Sequence, residues 1–475
     1  MKKTQHIFTA VLAAAVLMGG CSQIYGNSQF QSSDVSSYPE SIQSEESPVS
    51  FPVSSDTDAP SDSSASQSSE GFSESEADNP YSDPAASGQE NLEIAVSSSQ
   101  ASEQISPPKQ ESTAPEVSEP PDTSKIKYYD SKYFVKELDE KQLRNFICIY
   151  DAAASFKKSA EFDEPITDDE LSTLMFLLNY DCPELIHLSG DYYPEYNSND
   201  MYYVCGVSFS YCLDQLEYDS AMKKLNEFFD ELRSTLNGKN ELAKEKYVYD
   251  YVFQNCIYNE ADLLSGSVYG TLINHKGRCE GFSKSFMWCM RELGIECLTV
   301  SGTQNWDYTA LYPNHSWNIV KINGDYYHLD VTVDNVQLNE EKGNPANYGF
   351  FNVNDEMIAD NREISSVYTD LGVPACDSLA ENYHITNDLY LYHDEFYRMN
   401  LFAVLSDHFD DEGIHPVSIK FYTRAEYEAA LYTIDDDVKE FLNDNSDNVF
   451  TFNTYYNDLS YTIIIEAADS NSEGE

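Results

Sequence analysis

Three residues suited to acyl-transfer chemistry follow one another along a short part of the chain. Cys279 precedes a helical pattern, and His315 and Asp330 come after it in that order. A thiolate can attack an acyl carbon, an imidazole can transfer the proton, and a carboxylate can orient and stabilise the ring. These residue types in this order therefore predict a candidate thiol nucleophile with its base and orienting acid.

The two later residues fall on a predicted β-hairpin. The runs 315–322 and 325–332 are rich in β-branched and aromatic residues, and Asn323-Gly324 between them is a dipeptide favoured in type I′ turns. His315 and Asp330 then become diagonal cross-strand neighbours, with backbones roughly 7–8 Å apart. An imidazole and a carboxylate can close that gap. The turn fixes the expected pairs: Ile322 with Asp325, Ile319 with His328, Trp317 with Asp330, and His315 with Thr332.

Other side chains of the hairpin project to the same side as His315 and Asp330. We expect Trp317 and Thr332 to be packing partners. His328 and Asp334 are polar, and either a solvated hairpin end or a role at the site would account for them.

The position of Cys279 is itself informative. Phe282, Phe286 and Met290 recur at helical spacing after it, and Gly294 supplies a helix stop. Cys279 therefore lies at or just before the first turn of a predicted helix. The partial positive charge of a helix N-terminus favours thiolate over thiol, and a neighbouring imidazolium would add to this effect.

The segment from about residue 247 to residue 334 resembles the transglutaminase-like domain of the papain-fold superfamily. The resemblance rests on GRCEG around Cys279, GIEC from Gly294, HSWN from His315 and YHLDVT through Asp330. It implies an α+β fold with a papain-like transglutaminase core, in which the helix bearing the cysteine packs on an antiparallel sheet bearing the histidine and the aspartate. It also implies a Cys-His-Asp triad acting on acyl groups. Residues 181–185 also resemble, more weakly, part of longer bacterial surface proteins that carry this domain.

An enzyme of this kind also needs donors for the oxyanion. The backbone N–H of Cys279 is the default donor, and a side chain upstream should provide a second. The stretches 267–270 and 274–275 are near enough in sequence. The resemblance favours Tyr269, although a packed aromatic would account for this residue equally well.

The N-terminus has the pattern of a bacterial lipoprotein signal. Lys2 and Lys3 precede an apolar run over residues 7–18, and Gly19-Gly20-Cys21 completes a small-residue cleavage site. Cleavage before Cys21 and acylation of its thiol would anchor the mature chain at the extracellular face of a bacterial membrane. Ordinary secretion with complete cleavage is the alternative.

Composition divides the remaining chain into segments. Up to about residue 125 the sequence is rich in Ser, Glu, Asp and Pro and lacks aliphatic clusters, so we expect a disordered linker with an end-to-end distance of roughly 50–60 Å. The helical pattern beyond it includes a capping box at Thr167 and Glu170 and one strand near residues 201–211. The expected segments are a signal peptide (1–20), the linker (21–125), a mainly helical domain (126–240), the transglutaminase-like domain (241–375) and a small α+β accessory domain (376–475).

Charge and cysteine spacing exclude several classes of function. The formal net charge is −54, which argues against nucleic acid as a partner because such binding depends on positive patches. The ten cysteines include no CxxC pair, so zinc and iron–sulfur sites are not indicated. The thiol chemistry requires no metal or organic cofactor.

Two classes of function remain. The first is a lipid-anchored thiol enzyme that forms a thioacyl intermediate on a peptide or protein substrate, which could be associated with the cell wall. Water as the second nucleophile makes it a cysteine peptidase or amidase, which we prefer because hydrolysis needs no amine tunnel, whereas a lysine amine makes it a crosslinking transglutaminase. The second class is a surface module that binds cell-wall material or peptides without turnover.

Overall fold

The computed structural model describes residues 119–197, 200–304, 315–338, 345–446 and 448–469. The predicted lipoprotein signal, Cys21 and most of the predicted linker lie outside these ranges. None of the helices within them is both long and apolar enough to span a bilayer.

The first part of the described chain combines helices with a three-stranded antiparallel sheet of order β1-β3-β2. The capping box predicted at Thr167 and Glu170 is confirmed. The sequence predicted one of the three strands; the others were missed because β1 has few buried residues and β2 contains Gly190 and Pro194, which are typical of loops. The elements are α1 Glu140–Ala154, β1 Ser159–Ile166, α2 Asp168–Asp181, β2 Leu188–Asn197, β3 Asp200–Tyr211 and α3 Gln215–Thr235.

The central part contains a four-stranded sheet of order β8-β7-β6-β9. The helix α6 packs against this sheet, where Asn318 Nδ2 donates to the carbonyl of Ser283 at 2.9 Å. All residues of α6 from Cys279 to Met290 are buried. The elements are α4 Glu241–Asn255, β4 Ile257–Tyr258, α5 Val268–Leu272, β5 Lys276–Gly277, α6 Cys279–Glu292, β6 Cys297–Gln304, β7 His315–Ile322, β8 Asp325–Leu329, α7 Val331–Leu338, α8 Asp355–Ala359 and β9 Arg362–Ile364.

The predicted hairpin register is confirmed near the turn and wrong near its open end. Ile322 pairs with Asp325 and Ile319 with His328, as expected. The second strand stops at Leu329, however, and the expected ladder pairs of Asp330 and Thr332 do not occur within the described strands. Asp330 instead caps α7, where its Oδ1 accepts the backbone N–H groups of Thr332 at 3.0 Å and Val333 at 3.3 Å. The capping preference of aspartate outweighed the strand preference of the residues after it.

The C-terminal part is an α+β arrangement, as predicted, with its own hydrophobic core. Its sheet has the order β10-β12-β14-β13, and β11 pairs with β12. The fold class expected from the sequence is therefore confirmed. The helix α9 Ser366–Leu371 precedes this part and packs in a different core. The elements of the C-terminal part are α10 Tyr383–Thr386, β10 Tyr390–Leu391, α11 Tyr397–Asp407, β11 Phe409–Asp410, β12 Gly413–Phe421, α12 Arg424–Leu431, α13 Ile434–Asn445, β13 Phe450–Asn457 and β14 Thr462–Asp469.

Candidate active site

Cys279 is the first residue of α6, as the sequence predicted, and is 2% exposed. Arg278 occupies the N-cap position before it. The N-terminal end of a helix carries partial positive charge, so this position favours a thiolate.

Steric crowding explains why the residue two positions after Cys279 is a glycine. A Cβ atom at Gly281 would collide with the backbone carbonyl oxygen of Ser265 and with the hydroxyl of Thr271. The helix bearing the thiol therefore packs closely against the chain segment that precedes it. This contact fixes where the N-terminal end of α6 lies.

His315 contacts both of its predicted partners. Its Nε2 lies 2.6 Å from Oδ2 of Asp330, and Cys279 is close enough to raise the pKa of the ring. Burial alone would lower the pKa of His315, but the charge and hydrogen bond of Asp330, together with Cys279, outweigh it and raise the pKa to about 9. The ring is therefore an imidazolium at neutral pH, which favours a thiolate beside it.

Asp330 uses both of its carboxylate oxygens. Oδ1 caps α7, while Oδ2 accepts from His315 and from Arg362. Burial acts to raise the pKa of this carboxyl, but the positive charges of His315 and Arg362 outweigh burial and lower the pKa to about 2. Asp330 is therefore ionised and held in a fixed orientation.

Arg362 is a residue of the candidate site that the sequence interpretation missed. It lies on the short strand β9, its side chain is fully buried, and its guanidinium reaches Asp330 Oδ2 at 2.5 Å. The group also lies 3.9 Å from the ring centre of Phe350 and 5.7 Å from that of Trp317. A three-residue strand 32 positions after Asp330 offers no local pattern that could have revealed this contact.

The expectation of a solvated hairpin end is wrong for His328 and Asp334, since both are fully buried. His328 accepts the indole N–H of Trp317 at 3.1 Å, and its Nε2 lies 2.9 Å from Oδ1 of Asp355. Trp317 in turn stacks on the His315 ring at 6.1 Å between ring centres. The polar face behind His315 is therefore a layer of hydrogen bonds that runs from the buried Trp317 and His328 to the exposed Asp355.

Asp334 belongs to a second buried layer that reaches the C-terminal part of the chain. Its carboxylate accepts the hydroxyl of Tyr249, and the side-chain amide of Asn457 at 3.3 Å. Burial raises the pKa of Asp334 to about 7. Lys420, whose pKa burial lowers to about 8, donates to the carbonyls of Gly349 and Ser460 nearby. Asn457 of β13 thus supports α7, the helix that Asp330 caps.

The hydroxyl of Tyr269 contacts α3. The hydroxyl oxygen lies 3.4 Å from Nζ of Lys224 on this helix, and the tyrosine ring packs at the edge of a hydrophobic cluster. These contacts fit the packed aromatic that we considered as the alternative. The assignment of Tyr269 as an oxyanion donor stays a prediction.

One group of side chains among the described residues has the spacing of metal ligands. Donor atoms of His328, Asp355 and Cys376 lie within 4.8 Å of one another. Because Trp317 donates to Nδ1 of His328, the neutral ring carries its proton on Nε2 and donates it to Asp355. Nε2 therefore offers no lone pair to a metal ion, and the hydrogen-bonded layer explains this group better than a metal site.

Cys279, His315 and Asp330 lie within a range of the chain that matches a known family model. Residues 231–331 match the family model of the Transglutaminase-like superfamily. Among curated proteins no sequence matches this chain. Solved structures found to be similar include a TGase (15% identity, 37% of this chain and 50% of that chain, TM-score 0.21) and the periplasmic domain of TgpA from Pseudomonas aeruginosa (13% identity, 28% and 58%, TM-score 0.19). The chain thus spans less than two thirds of either. On the family model, the chain contains a domain of the transglutaminase-like superfamily over residues 231–331.

Proposed function

We propose that the protein is a thiol enzyme that cleaves an amide bond through a thioester intermediate. The observation that carries this proposal is the central position of His315, which is hydrogen-bonded to the carboxylate of Asp330 and close enough to Cys279 for the thiol to raise the pKa of the ring, inside a buried site. This is the arrangement that nucleophilic catalysis by cysteine requires.

The reaction begins with attack of the Cys279 thiolate on the carbonyl carbon of a peptide or of a glutamine side chain. A carbon–sulfur bond forms as the carbon–nitrogen bond breaks, and the His315 imidazolium gives its proton to the departing amine. Water then attacks the thioester carbon. His315 accepts the proton of that water, and the carboxylic acid leaves as Cys279 recovers its thiolate.

Asp330 and Arg362 have supporting roles. Asp330 fixes the ring orientation and stabilises the imidazolium, and Arg362 positions Asp330. The backbone N–H of Cys279 is the first candidate to stabilise the oxyanion. Hydrolysis is the favoured outcome; transfer of the acyl group to a lysine amine would use the same three residues and would make the protein a crosslinking transglutaminase.

The sequence of the N-terminus adds a location to this proposal. Acylation of Cys21 would tether the enzyme to the extracellular face of a bacterial membrane, where a peptide or protein substrate, which could be associated with the cell wall, would be accessible. Metabolic labelling with a fatty-acid analogue, compared between wild type and Cys21→Ala, tests the anchor. Equal labelling of both proteins would contradict it.

The catalytic proposal is tested by alkylation with iodoacetamide near neutral pH. Cys279 should react faster than every other cysteine, as measured by peptide mass spectrometry. His315→Ala should slow Cys279 alone, because the imidazolium that stabilises its thiolate is gone. Equal labelling of several cysteines in the wild type would instead support a surface module that binds without turnover.

A substrate screen then distinguishes the outcomes of the reaction. Peptide and cell-wall libraries are incubated with wild type and with Cys279→Ala, and products are identified by mass. New carboxyl groups that only the wild type produces indicate hydrolysis, whereas products joined through a lysine amine indicate crosslinking.

A further inference from the structure

A cavity of about 220 Å³ lies beside the N-terminal end of α6. Its walls come from the end of α2, the start of β2, the segment 263–267 and α6. Arg278 and Glu280, the two neighbours of Cys279 in sequence, both line it. Cys279 itself does not line the cavity, but both residues bonded to it along the chain do.

The cavity wall has more positive charge than its buried carboxylate can balance. Arg278 pairs with Glu280 through Nε at 2.8 Å, and Lys284 lies 3.7 Å from the other oxygen of the same carboxylate. Two cations thus share Glu280. Asp191 also lines the cavity, but it is exposed to water at the rim.

Lys284 has hydrogen-bonding capacity to spare. Its side chain is 9% exposed, and its ammonium has three N–H donors. Among the described residues it donates to Oδ1 of Asn179 at 3.1 Å and interacts with the carboxylate of Glu280, so one of its three donors is left for a ligand. Burial lowers the pKa of Lys284, as expected for an ammonium whose lost hydration is incompletely replaced.

We propose that this cavity binds one carboxylate group of the acyl-donor peptide, with Lys284 and Arg278 as its partners. This inference rests on the proposed function and adds a substrate class to it: peptides with an acidic residue close to the scissile amide. A single negative charge would balance the two cations and Glu280, and a carboxylate matches the geometry of guanidinium and ammonium donors.

The charge of the whole protein makes this proposal easy to test. With a net charge of −54, the protein should repel an anionic reagent wherever no specific cationic site exists. A reagent with a carboxylate should therefore react with Cys279 more slowly than its neutral counterpart, unless the cavity binds the carboxylate.

The probes are matched electrophiles that alkylate Cys279 with loss of iodide: N-iodoacetyl-glutamate amide and N-iodoacetyl-glutamine amide, and the same pair with an alanine inserted after the iodoacetyl group. We expect the full-length wild type to prefer the glutamate member of at least one pair by about tenfold, as a buried charge-assisted hydrogen bond allows. Lys284→Gln should bring the rate ratio to one or below, whereas Lys284→Arg should keep the preference.

Lys276→Gln is the control for net charge. It removes the same charge from an exposed residue three positions before Cys279 that does not line the cavity, so it should leave the ratio unchanged. A wild-type ratio at or below one in both pairs overturns the proposal. An equal effect of Lys284→Gln and Lys276→Gln on the ratio also overturns it. Failure of the proposed function would look different, because the neutral reagents themselves would then react slowly and without dependence on His315.

Discussion

The ion pair between Asp330 and Arg362 allows the stability of the site to be separated from its catalysis. Both side chains are fully buried, and the guanidinium donates to the oxygen that also accepts from His315. In Asp330→Asn the side-chain oxygen can still cap α7, but Arg362 keeps a buried charge without a carboxylate. Removing one member of a buried pair costs about 3–5 kcal/mol, so we expect the free energy of unfolding to fall by that amount.

Adding Arg362→Met should recover much of the lost free energy of unfolding. Methionine is apolar and can pack in the space between Phe350 and Trp317 that the guanidinium now fills. Replacing a buried ion pair with apolar or neutral groups is often close to neutral, so the double variant should lie within about 1–2 kcal/mol of wild type. Its activity should stay lost, since burial without the Asp330 charge lowers the pKa of His315 and removes the imidazolium.

The assay is urea-induced unfolding at pH 7 for wild type, both single variants and the double variant, together with the iodoacetamide rate at Cys279. A stability as low in the double variant as in Asp330→Asn would refute the reasoning about the uncompensated guanidinium. Full alkylation activity in the double variant would refute the role assigned to Asp330.

Three further predictions concern pH and packing. The pKa of His315 is raised from 6.5 to about 9. The stabilising contribution of His315 is therefore complete below pH 6.5 and is lost as the pH rises through 9. Urea titrations at pH 7 and pH 10 should show that the free energy of unfolding falls less between these pH values in His315→Gln than in wild type. The pKa of Asp334 is raised from 3.8 to about 7, so the folded state holds a proton that the unfolded chain releases, and stability should fall by about 2–3 kcal/mol between pH 5 and pH 8. Asp334→Asn should show little of that fall, and an unchanged fall would place its cause elsewhere. Gly281→Ala should lower the free energy of unfolding by about 1–3 kcal/mol through steric overlap. Ser285→Ala is the control and should be neutral, because the buried hydroxyl of Ser285 is without a hydrogen-bond partner among the described residues. Equal effects of the two variants would contradict the steric explanation.

The parts of the site that the sequence revealed are those governed by local rules. Asn323 and Gly324 have φ values of 52° and 103°, as a type I′ turn requires, so the turn and the register next to it were predictable. The position of Cys279 at a helix start followed from apolar spacing. The contact between His315 and Asp330 then needed only a few residues of correct register.

Contacts between distant segments were not predictable in this way. The approach of Arg362 to Asp330 depends on where β9 joins the sheet, and this position is not encoded in the residues around Arg362. The burial of His328 likewise depends on Asp355 and on an isolated pairing of His328 with Val353. Such contacts arise from packing of the whole chain, and they reversed the expectation of a solvated hairpin end.

The contact of Asn457 with Asp334 has a consequence for how the molecule can be divided. A fragment that stops at residue 375 would keep Cys279, His315 and Asp330 but would lose the amide that supports α7 and the lysine beneath it. The Asp334 carboxylate would then lack this neighbour, and apolar residues of the central core that now pack against Tyr383, Tyr455 and Ile464 would be uncovered. A shortened protein should therefore keep the last strands, and also α2 and β2, whose residues line the cavity beside α6.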